Sequence, residues 1–361
     1  MNRRIVSVFL VFVGILAVTT AAIFVAKGYR FDRRTGTLRG TGIIAVASIP
    51  AGAAIYLDGE LYSASNNTIN DLDPKTYQLK VLKDGFSTWE KEVTVEAEKV
   101  ALVNVTLFPT APELRPITFT GVKNPQLSPD GQRIVYVVDQ LSKAGLWTLD
   151  FSNRPFTFSR EPKQIAKDSP SFSYTKATFS WAPDSKTVLV TGKSSADKNV
   201  AYLLDADRLN DAPLDVSLTL TQIQQNWQSD LQLKEADRLN RLPANIKELI
   251  SPSTRVSWSP DELRLALGQD QKVQVYDLKK GGLYELSPVI NFSWYPDSEH
   301  LVLVEEKLIS IVEADGKNKV GIYSGDFDPS RVFSWPDGSK LIILASFNQS
   351  AGSNLYTINL R

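Results

Sequence analysis

Between residues 126 and 338 the chain repeats nearly the same phrase five times: an apolar strand end, Ser, usually Trp, then Pro-Asp and the start of another strand. The copies centre on Pro129-Asp130, Pro183-Asp184, Pro260-Asp261, Pro296-Asp297 and Pro336-Asp337, and no Pro-Asp dipeptide lies outside them. Trp181, Trp258, Trp294 and Trp335, four of the seven tryptophans, read as occupants of one slot at a strand end, where core packing explains them. Self-similarity at a fixed period builds a fold from one supersecondary unit, so it constrains architecture before any single residue does. Pro fixes φ at the second turn position, and Asp followed by Gly or Ser suits a type I turn. The phrase therefore encodes a tight hairpin rather than a reactive group.

Each copy follows an apolar strand and precedes another, such as Ile134-Val135-Tyr136-Val137-Val138 or Leu301-Val302-Leu303-Val304. A third strand then closes each unit, as in Leu146-Trp147-Thr148-Leu149-Asp150. Within the C-terminal region, 109–361, and with an insertion over about 206–250 set aside, the stretch from Glu113 to Arg361 gives about 41 residues per copy, the size of a four-stranded blade. The expectation is a β-propeller of five blades, with six as the alternative. The last copy stops after its third strand, and Leu114 to Phe119 is available to supply the fourth.

The Ser128-Pro129-Asp130-Gly131 phrase with its Leu146-to-Asp150 strand resembles the TolB-like, WD-repeat-related propeller blades. Two copies depart from the pattern: Glu262 replaces Gly in the third, and the fifth lacks a residue between Trp335 and Pro336. The resemblance implies a platform for protein recognition in the cell envelope.

Upstream, residues 43–108 read as a small all-β module. Pro50 and Gly52 punctuate one turn and Asp58-Gly59 is a hairpin signal, while Tyr77-Gln78-Leu79-Lys80-Val81-Leu82 alternates as a half-buried strand does. Ser48, Pro50, Gly52, Ala53, Ile55, Asp58 and Gly59, then Leu72, Pro74 and Tyr77, then Lys83, Gly85 and Phe86 resemble the PEGA domain family, with Lys75 standing where that family usually has glycine. The resemblance implies a β-sandwich without catalytic activity, in which Asp58 shapes a turn.

Ile5 to Ala26 carries no charge, and as a helix it reaches roughly 33 Å, enough to cross a bilayer core. Residues 1–27 are expected to be an N-terminal tail and uncleaved transmembrane anchor, with a cleaved signal peptide as the alternative, and residues 28–42 a linker. The modules' resemblances place the C-terminal bulk outside the cytoplasm. The flanking charges, Arg3 and Arg4 before the helix against Lys27, Arg30, Arg33, Arg34 and Arg39 after it, argue the other way.

Composition removes several chemistries. Forty basic residues balance 40 acidic ones, which makes nucleic acid an unexpected partner. The absence of cysteine excludes disulfides and thiolate chemistry, and a single histidine, His300, leaves no multi-histidine zinc site. His300 falls in a slot held elsewhere by Arg133, Thr187, Arg264 and Lys340, which reads as an exposed turn end. No Gly-x-Ser-x-Gly elbow is present. The chain is thus expected to be no enzyme, to use no cofactor or metal, and to bind a protein or a cell-wall glycan. The rival readings are a glycan- or peptide-active enzyme with carboxylates in the propeller channel and an envelope sensor or assembly factor.

The insertion offers the candidate binding element. From Leu220 to Leu242 the strand pattern breaks, and Ile223, Trp227 and Leu231 recur every four residues among polar ones, the signature of an amphipathic helix that Pro243 stops or restarts. These three side chains either form a projecting contact surface or dock on the neighbouring blade.

Overall fold

The computed structural model describes residues 3–26, 29–32, 37–152, 161–347 and 352–361. The chain divides into two compact units, Met1–Thr110 and Ala111–Arg361. The first begins with helix α1 (Arg3–Ala26), whose segment Ser7–Phe24 is long and apolar enough to span a membrane and is not buried in the protein; a signal sequence has the same properties.

Residues 28–42 depart from the linker expectation. Strand Tyr29–Asp32 pairs with Thr37–Gly40 as a hairpin, and three side-chain ties hold it to the module that follows: Tyr29 Oη donates to Glu98 at 2.6 Å, Arg30 forks onto Asp71 at 2.9 and 2.6 Å, and Arg39 lies 3.3 Å from Asp73. Four-residue strands are too short for a periodicity signal, and their partners lie tens of residues away.

That module is a sandwich of two sheets. In one, Gly42–Ile49 lies between Asn67–Leu72, antiparallel, and Val100–Thr106, parallel; in the other, Glu60–Ala64, Ala54–Leu57, Thr76–Leu82 and Trp89–Thr94 run antiparallel in that order. Alternation puts Ile44, Val46, Ile55, Leu79 and Val81 inside with Trp89. Leu57 faces Glu60 across a two-residue loop with φ +49° at Asp58 and +89° at Gly59, the doubly left-handed geometry of a type I′ hairpin. Asp58 also accepts the Gln78 amide at 2.9 Å and Lys75 Nζ at 2.8 Å, so the lysine in the usual glycine position pairs with the turn. These bonds, led by the Lys75 contact, hold the Asp58 carboxyl below its ordinary range.

The second unit is a five-bladed propeller. Four blades are consecutive antiparallel sheets spanning 123–167, 178–215, 255–286 and 291–324, each with its N-terminal strand innermost. The fifth takes Val332–Ser334, Lys340–Ala345 and Asn354–Asn359 from the C-terminal end and Leu114–Pro116 as its outer strand. The ring is thereby closed by the segment expected to close it. Buried apolar clusters fill the joints: Val135, Val137 and Ile165 of blade 1 meet Phe179, Val188 and Val190 of blade 2, and Ala266 and Val275 of blade 3 meet Phe292 and Leu303 of blade 4.

The tryptophan slot needs a correction. In every copy the residue before Pro accepts a turn bond from the residue after Asp: Gly131 to Ser128, Ser185 to Ala182, Glu262 to Ser259, Ser298 to Tyr295 and Gly338 to Trp335. Trp335 therefore fills the slot of Ser128 and Tyr295, one place later than Trp181, Trp258 and Trp294. A one-residue slip in a strand turns a side chain to the other face. Trp181 and Trp294 point back to the preceding blade, donating from Nε1 to the carbonyls of Gln126 at 3.0 Å and Ser257 at 2.9 Å. Trp335 points forward, packing on Phe151 of blade 1 with ring centroids 5.0 Å apart.

A candidate recognition site at the seam between blades 2 and 3

The repeat carries its own joinery. The residue after each Pro-Asp has a left-handed φ, from +57° to +71°, which glycine adopts freely and other residues only at some strain. At the three non-glycine copies the side chain is used. Ser185 Oγ accepts the Asp130 amide of blade 1 at 3.0 Å, and Ser298 Oγ accepts the Asp261 amide of blade 3 at 3.1 Å. Glu262 of blade 3, which by the same rule should face blade 2, instead takes Arg238 (3.0 and 2.6 Å) and Arg241 (3.5 Å) from the insertion.

The slot that holds His300 is buried in three of the five copies, contrary to the exposed turn end expected: His300 is 5 %, Arg133 4 % and Arg264 9 % exposed, and Thr187 and Lys340 are half-buried. It is a joint. Arg133 donates to the Ser185 carbonyl at 3.3 Å and pairs with Asp207 at 2.9 Å, and Arg264 donates to the Ser298 carbonyl at 2.8 Å and clasps Glu299 at 3.0 and 2.9 Å. His300 Nδ1 sits 2.7 Å from Asp297 Oδ2. Burial pushes the Asp297 carboxyl up, but the His300 bond and the amides of Glu299 and His300 outweigh it and leave the group below its ordinary range. A carboxyl lowered on folding contributes stability above its unfolded pKa and loses it as pH falls through the folded value. Asp297→Asn should therefore cost about 1 kcal/mol at pH 7, with the gap to wild type closing below about pH 4 in urea melts run across pH. A gap independent of pH would refute the role.

Against this pattern the joint between blades 2 and 3 stands apart. Among the described residues no hydrogen bond or ion pair passes directly between the two blades. Thr187 replaces the arginine, Ser180 is exposed, and the Trp258 indole, which should reach a blade 2 carbonyl, donates to Glu235 of the insertion at 3.3 Å. The insertion is wedged in their place. Helix α2 (Leu220–Asn240) packs Leu220, Ile223 and Trp227 on Leu189, Ala201 and Val216 of blade 2. Its C-terminal end, with Leu242 in the following turn and Ile246 of helix α3 (Ala244–Lys247), packs on Leu265, Leu267 and Tyr276 of blade 3. The insertion starts later than 206, because Leu214–Asp215 is the outer strand of blade 2, a two-residue strand that periodicity cannot register.

Of the three candidate side chains, the structure brings Ile223 and Trp227 together, half-buried on blade 2, and leaves Leu231 out at 55 % exposure. The expected amphipathic stripe is broken: no α2 residue is fully buried, and the middle of the helix bridges the seam with Leu231 and Leu233 in solvent. The neighbouring Leu214 and Leu218 are also exposed.

Beside the first turns of α2, a cleft of about 690 Å³ opens against blade 2, with no blade 3 residue in its lining. Thr178, Thr191, Asn199, Ser217 and Gln224 line it, with Lys176 and Lys193 above an apolar floor of Ala177, Val200, Ala201 and Leu220. Thr178 and Thr191 bond each other across the strands at 2.7 Å, and Lys193 pairs with Asp197 outside the cleft. No aromatic ring and no carboxylate lines it. Sequence reading missed these residues; the signal was the short Thr178 and Thr187 where other copies carry long polar groups. Among the described residues no cluster of three or more His, Cys, Asp or Glu side chains is placed to hold a metal ion.

Strand order and joinery define an all-β protein, a small sandwich and a five-bladed propeller with an inter-blade helical wedge. Residues 41–111, the span of the sandwich, match the PEGA domain family. No curated protein matches the chain. Solved structures similar to it include TolB from Acinetobacter baumannii (14 % identity, TM-score 0.25, 78 % of this chain and 59 % of that one). Others are a putative TolB from Agrobacterium tumefaciens (15 %, 0.24, 69 % and 90 %) and the β-propeller domain of the Trilobed protease from Pyrococcus furiosus (12 %, 0.21, 89 % and 85 %). The chain thus spans less than two thirds of the first.

Proposed function

We propose that the protein is a non-catalytic, membrane-anchored envelope protein whose propeller recognises a protein partner at the seam between blades 2 and 3. One observation carries this reading: the joint that lacks direct ties is filled by a helix whose middle leaves leucines in solvent beside an uncovered cleft. Exposed apolar side chains next to convergent polar groups suit protein contact, and irregular segments held by a rigid scaffold are where binding residues concentrate. A protein partner is favoured over a glycan because the apolar surface is aliphatic and the cleft carries no ring for a sugar face. The N-terminal helix would hold the platform at the membrane.

Site-specific photocrosslinking in native cells tests this. A crosslinker at Leu231 or at Lys176 should yield the same discrete protein adduct by mass spectrometry, and one at Lys319, next to the outer strand Val320–Ser324 of blade 4, should not. Adducts that are absent, or equal at all three positions, would refute the seam as the partner site.

A further inference from the structure

Five residues before each repeated Pro stand Asn124, Thr178, Arg255, Asn291 and Arg331, one at the entrance of each innermost strand and so all at the same mouth of the propeller channel. Three of them reach the next blade. Arg331 Nη2 donates to Asn124 Oδ1 at 2.9 Å, Arg255 Nη1 donates to Asn291 Oδ1, and Asn291 Nδ2 donates to the Pro329 carbonyl at 3.1 Å. Asn124 is set at this mouth by a bulge in its strand and a φ of +49°.

The charge at this mouth is unbalanced. Arg30, Arg39, Arg115, Arg133, Arg208, Arg238, Arg241 and Arg264 each pair with a carboxylate, whereas among the described residues Arg255 and Arg331 form no ion pair and their N–H groups bond only amide oxygens. Of the carboxylates on adjoining loops, Asp139 is engaged by Lys123 and Asp328 by the Ser330 amide and hydroxyl, while Asp270, in the turn two residues beyond the Gly268 that pairs with Arg255, forms no ion pair with it. The Arg255 guanidinium lies over the Phe292 ring, 4.6 Å from its centroid, and burial of that head group moves its pKa down although the residue remains exposed overall. A partly desolvated guanidinium without a counter-charge is costly, and each uses only part of a fork of five N–H donors.

We propose that the mouth of the propeller channel is an oxyanion site, in which Arg255 and Arg331, held by Asn291 and Asn124, receive a carboxylate or phosphate group carried by a ligand. The site is independent of the seam, and each reading survives the failure of the other. Guanidinium forks match both oxyanions in geometry.

Titration calorimetry on the full chain in non-ionic detergent, at pH 7.5 and constant ionic strength, tests the proposal with inorganic phosphate and with succinate as probes. Saturable heat at about one site per chain is expected from at least one of them, and which one responds distinguishes a phosphate-bearing from a carboxylate-bearing ligand. Arg255→Gln and Arg331→Gln should each weaken binding by about tenfold or more, and Arg115→Gln, at a rim position paired with Glu113, should leave it unchanged. Should either glutamine variant melt early, Arg331→Lys keeps the charge, loses the fork, and should still bind more weakly. No saturable heat with either anion, or equal affinity in wild type and the folded variants, would overturn the site.

Discussion

Arg264→Met is expected to lower the unfolding free energy by about 3–5 kcal/mol. The residue is 9 % exposed and its guanidinium makes four kinds of contact at one joint: Asp277 at 3.2 Å, the Ser298 carbonyl at 2.8 Å, Glu299 through two short bonds, and Asp261 at 3.9 Å. Methionine fills much of the volume, so the cost arises from what stays behind: the Asp277 carboxylate, whose side chain is 6 % exposed, keeps only the amides of Lys279 and Lys280. A buried charge stripped of its partner costs more than the pair was worth. The double variant Arg264→Met with Asp277→Asn should recover a substantial part of the loss, because asparagine still accepts the turn amides and carries no charge. Urea unfolding at neutral pH reads both, and an undiminished loss in the double variant would show that the arginine acts through packing alone.

Trp335→Ala should cost a similar amount, about 3–5 kcal/mol. The residue is 4 % exposed, stacks on Phe151, packs with Ile134, Tyr136 and Leu149 of blade 1, and carries Lys340 over its ring at 5.1 Å. It is the apolar plug of the joint that closes the ring, where Leu355 and Ile342 also meet blade 1. Trp181→Ala, at a half-buried ring, should cost clearly less. Comparable losses for the two would mean that the shifted position of Trp335 has no special consequence.

The contrast between those tryptophans marks how far the sequence could be read. The Pro-Asp repeat announced hairpins, the hairpins announced blades, and the strand at Leu114 announced its place in the last blade; all of these are local or periodic signals. The missing residue before Pro336 was visible, but its effect, a side chain turned to the opposite joint, emerges only once the turn bonds are aligned. Glu262 likewise stood out as a departure from glycine, and its use as the anchor of Arg238 depends on a helix that folds back from more than twenty residues upstream. The seam was hardest to see because its evidence is subtraction: threonines at 178 and 187 say nothing until the equivalent residues elsewhere are seen bridging blades. Ile223, Trp227 and Leu231 fall on a helix as their spacing indicates, but the alternatives of docking and projection divide among them, because the helix touches two blades and hangs free between them.

The shared fifth blade also sets a timetable. Its outer strand, Leu114–Pro116, is made first, and Asn354–Asn359, the strand that it pairs with, is made last; the Thr357 hydroxyl bonds the Arg115 carbonyl across 242 residues of sequence. Contacts between such distant partners form late, because the intervening chain must be organised before they can meet. During synthesis the first four sheets can therefore assemble in order as they emerge, while the opening strand waits unpaired at the starting edge, and the arrival of Asn354–Asn359 converts an open arc into a ring.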